Sequence, residues 1–302
     1  MNLAINLCGV RLKNPVIAAS GTFRYGEEFN RLYDVGCLGG IATTGITLNP
    51  RPGNPPPRVT EGEMLMLNAV GLQNEGAQAF IERELPRMRQ YGTAIIANVA
   101  GSTLEEYCGA VERISAAAVD MVELNISCPN VKAGGMAFGV CPASVREVVA
   151  AVRPLCHKPL IVKLTPNVAD IRENAIAAQE GGADAISLIN TLTGMLIDVK
   201  NRRPVLANIT GGMSGPALLP LALRMVWQAA GAVSIPVIGM GGIRSGEDAA
   251  AFLLAGASAV MVGSANFADP YACPRIIREL EAYLASQGLS SVEELVGGLR
   301  LD

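Results

Sequence analysis

The chain has 302 residues, a formal charge of −3 and no block of like charges, which excludes a nucleic-acid surface or a polybasic membrane anchor. Half of the residues are hydrophobic and 17% are charged, enough for a sizeable core and far from a disordered composition. Gly (33) and Pro (18) are too frequent for a helical bundle, and the length suits two domains or one large barrel.

In chain order, short apolar runs alternate with longer amphipathic ones. The runs predict strands at Val16–Ala19, Gly40–Thr43, Ala94–Val99, Met121–Leu124, Leu160–Leu164, Ala185–Ile189, Pro236–Gly239 and Ala259–Val262. Between them, helices are expected at Ala77–Arg89, Leu104–Ala117, Ala143–Arg153, Asp170–Glu180, Leu218–Ala230, Glu247–Leu254 and Tyr271–Gln287. Gly181, Gly231, Gly256 and Gly288 stand where helices should stop, and Thr103 and Ser245 where N-caps belong. Eight strand–helix units predict an α/β fold, a (β/α)8 TIM barrel of one domain over residues 1–302. A doubly wound sheet is the rival, but no early Gly-rich dinucleotide fingerprint supports it.

Two connections are long, Gly45 to Gly76 and Asn190 to Gly215. Both follow strands, so both should rise over the C-terminal face, where barrels build active sites. The Pro-rich stretch from Asn49 to Pro57 reads as a rigid covering loop. Two uncharged windows, Pro204–Leu223 and Ala249–Ala268, are broken by Gly or Pro and do not read as membrane spans. Met1-Asn2-Leu3-Ala4 lacks a basic n-region, so the expectation is a cytoplasmic protein. The seven cysteines are widely spaced with no C-x-x-C, which argues against disulfides, structural zinc or an iron–sulfur cluster on this chain. No metal site is expected.

Glycines mark a candidate anion site. Ile238-Gly239-Met240-Gly241-Gly242-Ile243 lies near the seventh strand and Val262-Gly263-Ser264 follows the eighth, where barrels commonly bind a phosphate. The plainer reading is tight turns alone. Lys163 ends an apolar strand, a costly place for an ammonium without an anionic partner, although a lysine at the rim could snorkel to water. Asn98, Asn125 and Asn190 stand at strand ends, with Asn68 in the long loop. Amides both donate and accept, so together they suit a ring with amide or imide edges. Cys128 is the only cysteine in a polar loop at a strand's C-terminal end. The single histidine, His157, precedes a strand at the opposite face, so a Cys–His dyad is not expected.

Several segments resemble one family. Asn68-Ala69-Val70-Gly71-Leu72-Gln73-Asn74, Asn125-Ile126-Ser127-Cys128-Pro129-Asn130-Val131-Lys132, Ala207–Pro216, Gly239–Gly242 and Val262–Phe267 are similar to the dihydroorotate dehydrogenases, most of all to catalytic subunits of the NAD-dependent class 1B type. The resemblance runs from about residue 3 to 285. It implies FMN, with its phosphate on Gly241, Gly242, Gly263 and Ser264, and with Ser20, Thr44, Gly45, Asn98, Asn125, Lys163, Ile189 and Gly215 along the rest of the cofactor. It implies oxidation of (S)-dihydroorotate to orotate in pyrimidine biosynthesis, with Cys128 as the base at C5 and hydride passing from C6 to FMN. Thr44, Asn68, Ala69, Val70, Gly71, Leu72, Asn125, Asn190 and Thr191 would hold the pyrimidine. Lys163 would face the flavin and stabilise its anionic reduced form.

The resemblance also implies a partner subunit carrying FAD and a [2Fe–2S] cluster that reduces NAD, on a homodimer of this chain in a heterotetramer. One position departs from the pattern: Thr44 stands where the family usually has a lysine. That leaves a substrate without a carboxylate, such as uracil or dihydrouracil, as an alternative, or a compensating charge from the Arg51–Arg58 loop. A non-redox lyase that uses the phosphate site is the alternative of a different class.

Overall fold

The computed structural model describes residues 1–127 and 138–301. Eight parallel strands close a barrel in the order Val16–Ala18, Gly40–Ala42, Ala94–Val99, Met121–Asn125, Leu160–Lys163, Ala185–Leu188, Val237–Met240 and Ala259–Val262, the last pairing back to the first. Seven of the eight are buried along their whole length, and the third is open only at Ala94. That burial is why these strands read as continuous apolar runs rather than alternating ones. All eight expected strands exist, with ends shifted by no more than a residue.

Helices between the strands pack outside them. Thr103 caps Leu104–Ser115 by accepting from Glu106 N, and Ser245 caps Gly246–Leu254 in a reciprocal capping box with Asp248. The glycine stops divide. Gly256 and Gly288 are left-handed, whereas Gly181 and Gly231 stay right-handed, and Gly182 makes the turn after Gly181. The stretch expected as one helix, Ala77–Arg89, is segmented. It runs α-helical over Gly76–Ala79, widens to a π turn over Phe80–Glu84, and resumes at Leu85–Met88. Pro86 explains the break, since it donates no N–H and its ring crowds the carbonyl four residues back.

Two features had no signal in the periodicity. Ile5–Leu7 and Val10–Leu12 form a hairpin whose turn residues, Cys8 and Gly9, both have positive φ, the geometry of a two-residue hairpin turn. Above the barrel's C-terminal face, the two long connections join in one antiparallel sheet, in the order Leu192–Gly194, Gly211–Ser214, Leu65–Asn68 and Val59–Gly62. Leu67, Ala69 and Leu206 give this sheet its own small core. The covering loop is tied beneath it by paired backbone bonds between Arg51 and Asn74. No described helix is long and apolar enough to cross a membrane.

Candidate active site

Between the barrel mouth and the sheet lies a cavity of about 570 Å³, within the size range of small-molecule sites. It gathers the expected site residues from distant parts of the chain. Gly241, Gly242, Gly263 and Ser264 line it from the seventh and eighth strands, and Ser20, Thr44 and Gly45 from the first two. Asn98, Asn125, Lys163, Ile189, Asn190 and Thr191 line it from the third to sixth strands and the residues after them. Asn68, Ala69, Val70, Gly71, Leu72 and Gly215 line it from the covering sheet and its loop. Asn68 stands on a strand of that sheet rather than in a loop. Cys128 lies outside the described residues.

The glycines differ in why they are glycine. A Cβ on Gly241 would come within 2.7 Å of Ala222 Cβ, and one on Gly242 within 2.8 Å of Leu219 N, so both are required by close helix packing as well as by positive φ. Gly215 has φ +123° and abuts the Met64 carbonyl, where a Cβ would stand 2.7 Å away. Gly263 is different: its Cβ would meet nothing nearer than Ala19 at 3.7 Å. The chain itself has room for a side chain there, and the position opens onto the cavity. The backbone N–H groups of Gly242, Ile243, Gly263 and Ser264 bond to no described residue. This cradle suits a phosphate.

The asparagines form a row. Asn125 Nδ2 donates to Asn98 Oδ1 at 3.4 Å, and Asn190 Nδ2 donates to Asn125 Oδ1 at 3.2 Å. Ser127, which the motif reading did not single out, donates its hydroxyl to Asn125 Oδ1 at 2.7 Å and accepts from Asn190. Asn190 Oδ1 accepts from Thr191 N at 2.8 Å. Each amide is thus held in one orientation, as recognition of a ring edge requires. Lys163 does not snorkel. It is 4% exposed, donates to Ser20 Oγ at 2.9 Å and lies 3.8 Å from the Glu123 carboxylate.

The loop at Val70–Leu72 adds a second concentration of donors. Gly71 and Leu72 both have positive φ, and the N–H groups of Val70, Gly71 and Leu72 bond to no described residue. Successive free N–H groups in such a turn make an anion-binding concavity. Thr44 brings a hydroxyl without a partner among the described residues, and no charge. Arg51 reaches the cavity, but its guanidinium is held by Ser102 Oγ at 2.7 Å and Glu106 Oε2 at 2.8 Å. Arg58 is spent on Gln73 Oε1 and the Asn54 carbonyl. Of the covering loop's arginines, then, Arg51 is paired with Glu106, and Arg58, whose partners are both neutral, does not line the cavity, so neither brings a free charge to the Thr44 position.

Six described cysteines are free thiols, and none lines the cavity. Burial pushes Cys8 up to about 11 and Cys273 up to about 12, so neither ionises near neutrality. No group of described residues could hold a metal ion. Glu123, whose strand reads as an apolar run in the sequence, is the largest omission from the motif reading. Its signal was the one Lys163 also gave, a charge inside a buried strand.

The family profile described as Dihydroorotate dehydrogenase matches residues 2–284 of the chain. Curated relatives match over nearly the whole length of both proteins. The chain is 54% identical over 301 residues to the protein of Geobacter sulfurreducens and 53% identical over 298 residues to that of Alkaliphilus oremlandii, with 99% of each chain covered in both cases. It is 50% identical over 302 residues to that of Thermoanaerobacter pseudethanolicus, which it covers completely. All three carry the name dihydroorotate dehydrogenase B (NAD(+)), catalytic subunit. With this cavity, this barrel and these relatives, the chain belongs to the dihydroorotate dehydrogenase family.

Proposed function

We propose that this chain is a single FMN-binding barrel domain that oxidises (S)-dihydroorotate to orotate in pyrimidine biosynthesis. The observation that carries the reading is one cavity holding both a backbone cradle for a phosphate and an oriented amide row for a pyrimidine ring. FMN fits the donors present: Gly263 leaves open a position that the protein itself does not fill. Gly241, Gly242, Gly263 and Ser264 hold its phosphate, and Ser20, Thr44, Gly45, Asn98, Asn125, Lys163, Ile189 and Gly215 hold the remainder. When bound, FMN supplies the acceptor for the hydride that leaves C6 of the substrate.

The chain's own residues do the rest. Asn68, Asn125, Asn190 and Thr191 meet the amide and imide edges of the pyrimidine, and Thr44 offers its hydroxyl. The free N–H groups of Val70, Gly71 and Leu72, just past Ala69, receive the substrate carboxylate. Lys163 places a buried positive charge at the cavity wall, where negative charge develops during the reaction. Cys128, three residues past Asn125, removes the C5 proton. The sheet over the barrel mouth keeps water from the reacting atoms.

The relatives' shared name, a catalytic subunit of an NAD-dependent enzyme, supports a second polypeptide for electron exit. We assign to that partner the FAD and the [2Fe–2S] cluster, in a heterotetramer built on a homodimer of this chain, and place the complex in the cytoplasm. A second reading is favoured by Thr44 and by the pairing of Arg51 with Glu106: a pyrimidine without a carboxylate, such as dihydrouracil. An anaerobic absorption spectrum decides between them. The purified protein should carry a flavin band that dihydroorotate bleaches and dihydrouracil does not. Bleaching by dihydrouracil alone would favour the second reading, and no flavin at all would sink both.

A further inference from the structure

Beneath the cavity lies a carboxylate that the proposed chemistry does not use. Glu123 is 0% exposed and does not line the cavity. Its Oε2 accepts from Asn98 Nδ2 at 2.5 Å and lies 3.8 Å from Lys163 Nζ, while its Oε1 accepts from Ser187 Oγ at 2.7 Å. Asn98, Glu123, Lys163 and Ser187 come from four successive barrel strands, and Glu123 is the node that touches the other three. The strand register brings them level. Asn98 is paired across from Glu123, and Ser187 from Lys163.

Two of the groups held by Glu123 are themselves in the cavity wall, Lys163 and Asn98. A carboxylate only accepts hydrogen bonds, so it forces Asn98 to turn Nδ2 downward. That leaves Asn98 Oδ1 to accept from Asn125 and begins the directed row described above. Lys163 has a long, flexible stem, but between Glu123 on one side and Ser20 on the other its ammonium has one place to stand. A buried charge is tolerated when it is paired and hydrogen-bonded, and here each ion satisfies that condition for the other.

We propose that Glu123 is a positioning residue: touching no ligand, it holds the Lys163 ammonium against the cavity wall and sets the direction of the Asn98 amide. Its consequence for FMN rests on the functional reading above. The cluster itself does not.

The test is a double-mutant cycle of Glu123→Gln and Lys163→Met, read by FMN titration of apoprotein, by the visible spectrum of bound FMN and by the melting temperature of apoprotein. Glu123→Gln should weaken FMN binding about tenfold, the worth of one charge-assisted contact, and shift the visible band. The double variant should bind FMN no worse than Lys163→Met alone. It should also recover most of the melting temperature lost in Glu123→Gln, because removing one ion of a buried pair strands the other and removing both does not.

Wild-type FMN affinity and spectrum in Glu123→Gln would overturn the proposal, as would single effects that simply multiply in the double variant. If Glu123→Gln does not fold, the double variant still decides: a folded protein with the FMN affinity of Lys163→Met supports the role, and failure to fold removes it. A wild-type protein that takes up no FMN speaks against the functional reading, and the melting cycle on apoprotein still tests Glu123.

Discussion

At the scale of single residues, Thr44 stands where the family resemblance leads one to expect a lysine. Arg51, the nearest cationic substitute from the covering loop, is bound to Glu106 and Ser102. If a carboxylate is to be held, the Val70–Leu72 amides carry that load. A charge-assisted hydrogen bond contributes about 1.5–3 kcal/mol, and each ~1.4 kcal/mol is tenfold in affinity. Thr44→Lys should therefore tighten orotate binding roughly 10- to 100-fold, measured by titrating orotate against the flavin spectrum, with little change for uracil. Equal or weaker binding would show that the backbone amides already satisfy the anion. Cys128 carries the second prediction at this scale. Cys128→Ala should keep its flavin and lose about 10²–10⁴-fold in the rate of flavin reduction by dihydroorotate, the usual worth of a general base. In the parent enzyme that rate should rise through mildly alkaline pH as a thiol ionises. An undiminished stopped-flow rate in the alanine variant would remove the residue from the chemistry.

At the scale of elements, the turn after the eighth strand separates packing from binding. Gly239, Gly241 and Gly242 are each closed in by the protein: a Cβ on Gly239 would fall 2.4 Å from the Phe252 ring. Substitution at any of these three confounds loss of fold with loss of ligand. Gly263 does not have that defect, since its nearest neighbour would stand at 3.7 Å. Gly263→Ala should melt within a degree or two of the parent as apoprotein, yet bind FMN at least about tenfold more weakly, because the methyl would occupy the anion's approach. Calorimetry of the apoprotein and FMN titration together check it. Unchanged FMN affinity would place the phosphate elsewhere. The same scale explains the segmented helix after Gly76, where Pro86 overrode a well-formed amphipathic pattern.

At the scale of the whole molecule, the barrel collects its site from nearly every strand end, and the proposed function leaves electron exit to another chain. No early dinucleotide fingerprint occurs in the sequence. The isolated polypeptide should be reduced rapidly by dihydroorotate and should pass electrons to NAD very slowly. Anaerobic reduction followed by addition of NAD tests this, and fast reoxidation by NAD would contradict a two-subunit enzyme. Binding of FMN also links to stability. At a free FMN concentration near 100 times the dissociation constant, the fold should gain about 2.7 kcal/mol.

Sequence alone determined the barrel, because a parallel strand buried on both faces must be a continuous apolar run, and eight such runs alternate with amphipathic helices. It also marked part of the cavity wall, since Gly, Asn and Lys at strand ends break that apolar pattern, whereas Ser20, Thr44, Gly45, residues 69–72, Ile189, Thr191 and Gly215 came only with the family resemblance. Local pattern failed where stability comes from partners far along the chain. The strands Val59–Gly62, Leu65–Asn68, Leu192–Gly194 and Gly211–Ser214 are short and lack a clean alternation, and they become a sheet only when two distant connections meet. Glu123 was hidden for the same reason. Nothing in Met121-Val122-Glu123-Leu124 says that its charge is answered by a lysine forty residues on, an amide on the strand before and a serine two strands beyond. Only barrel closure brings those groups within bonding distance, and only there does a buried carboxylate become tolerable.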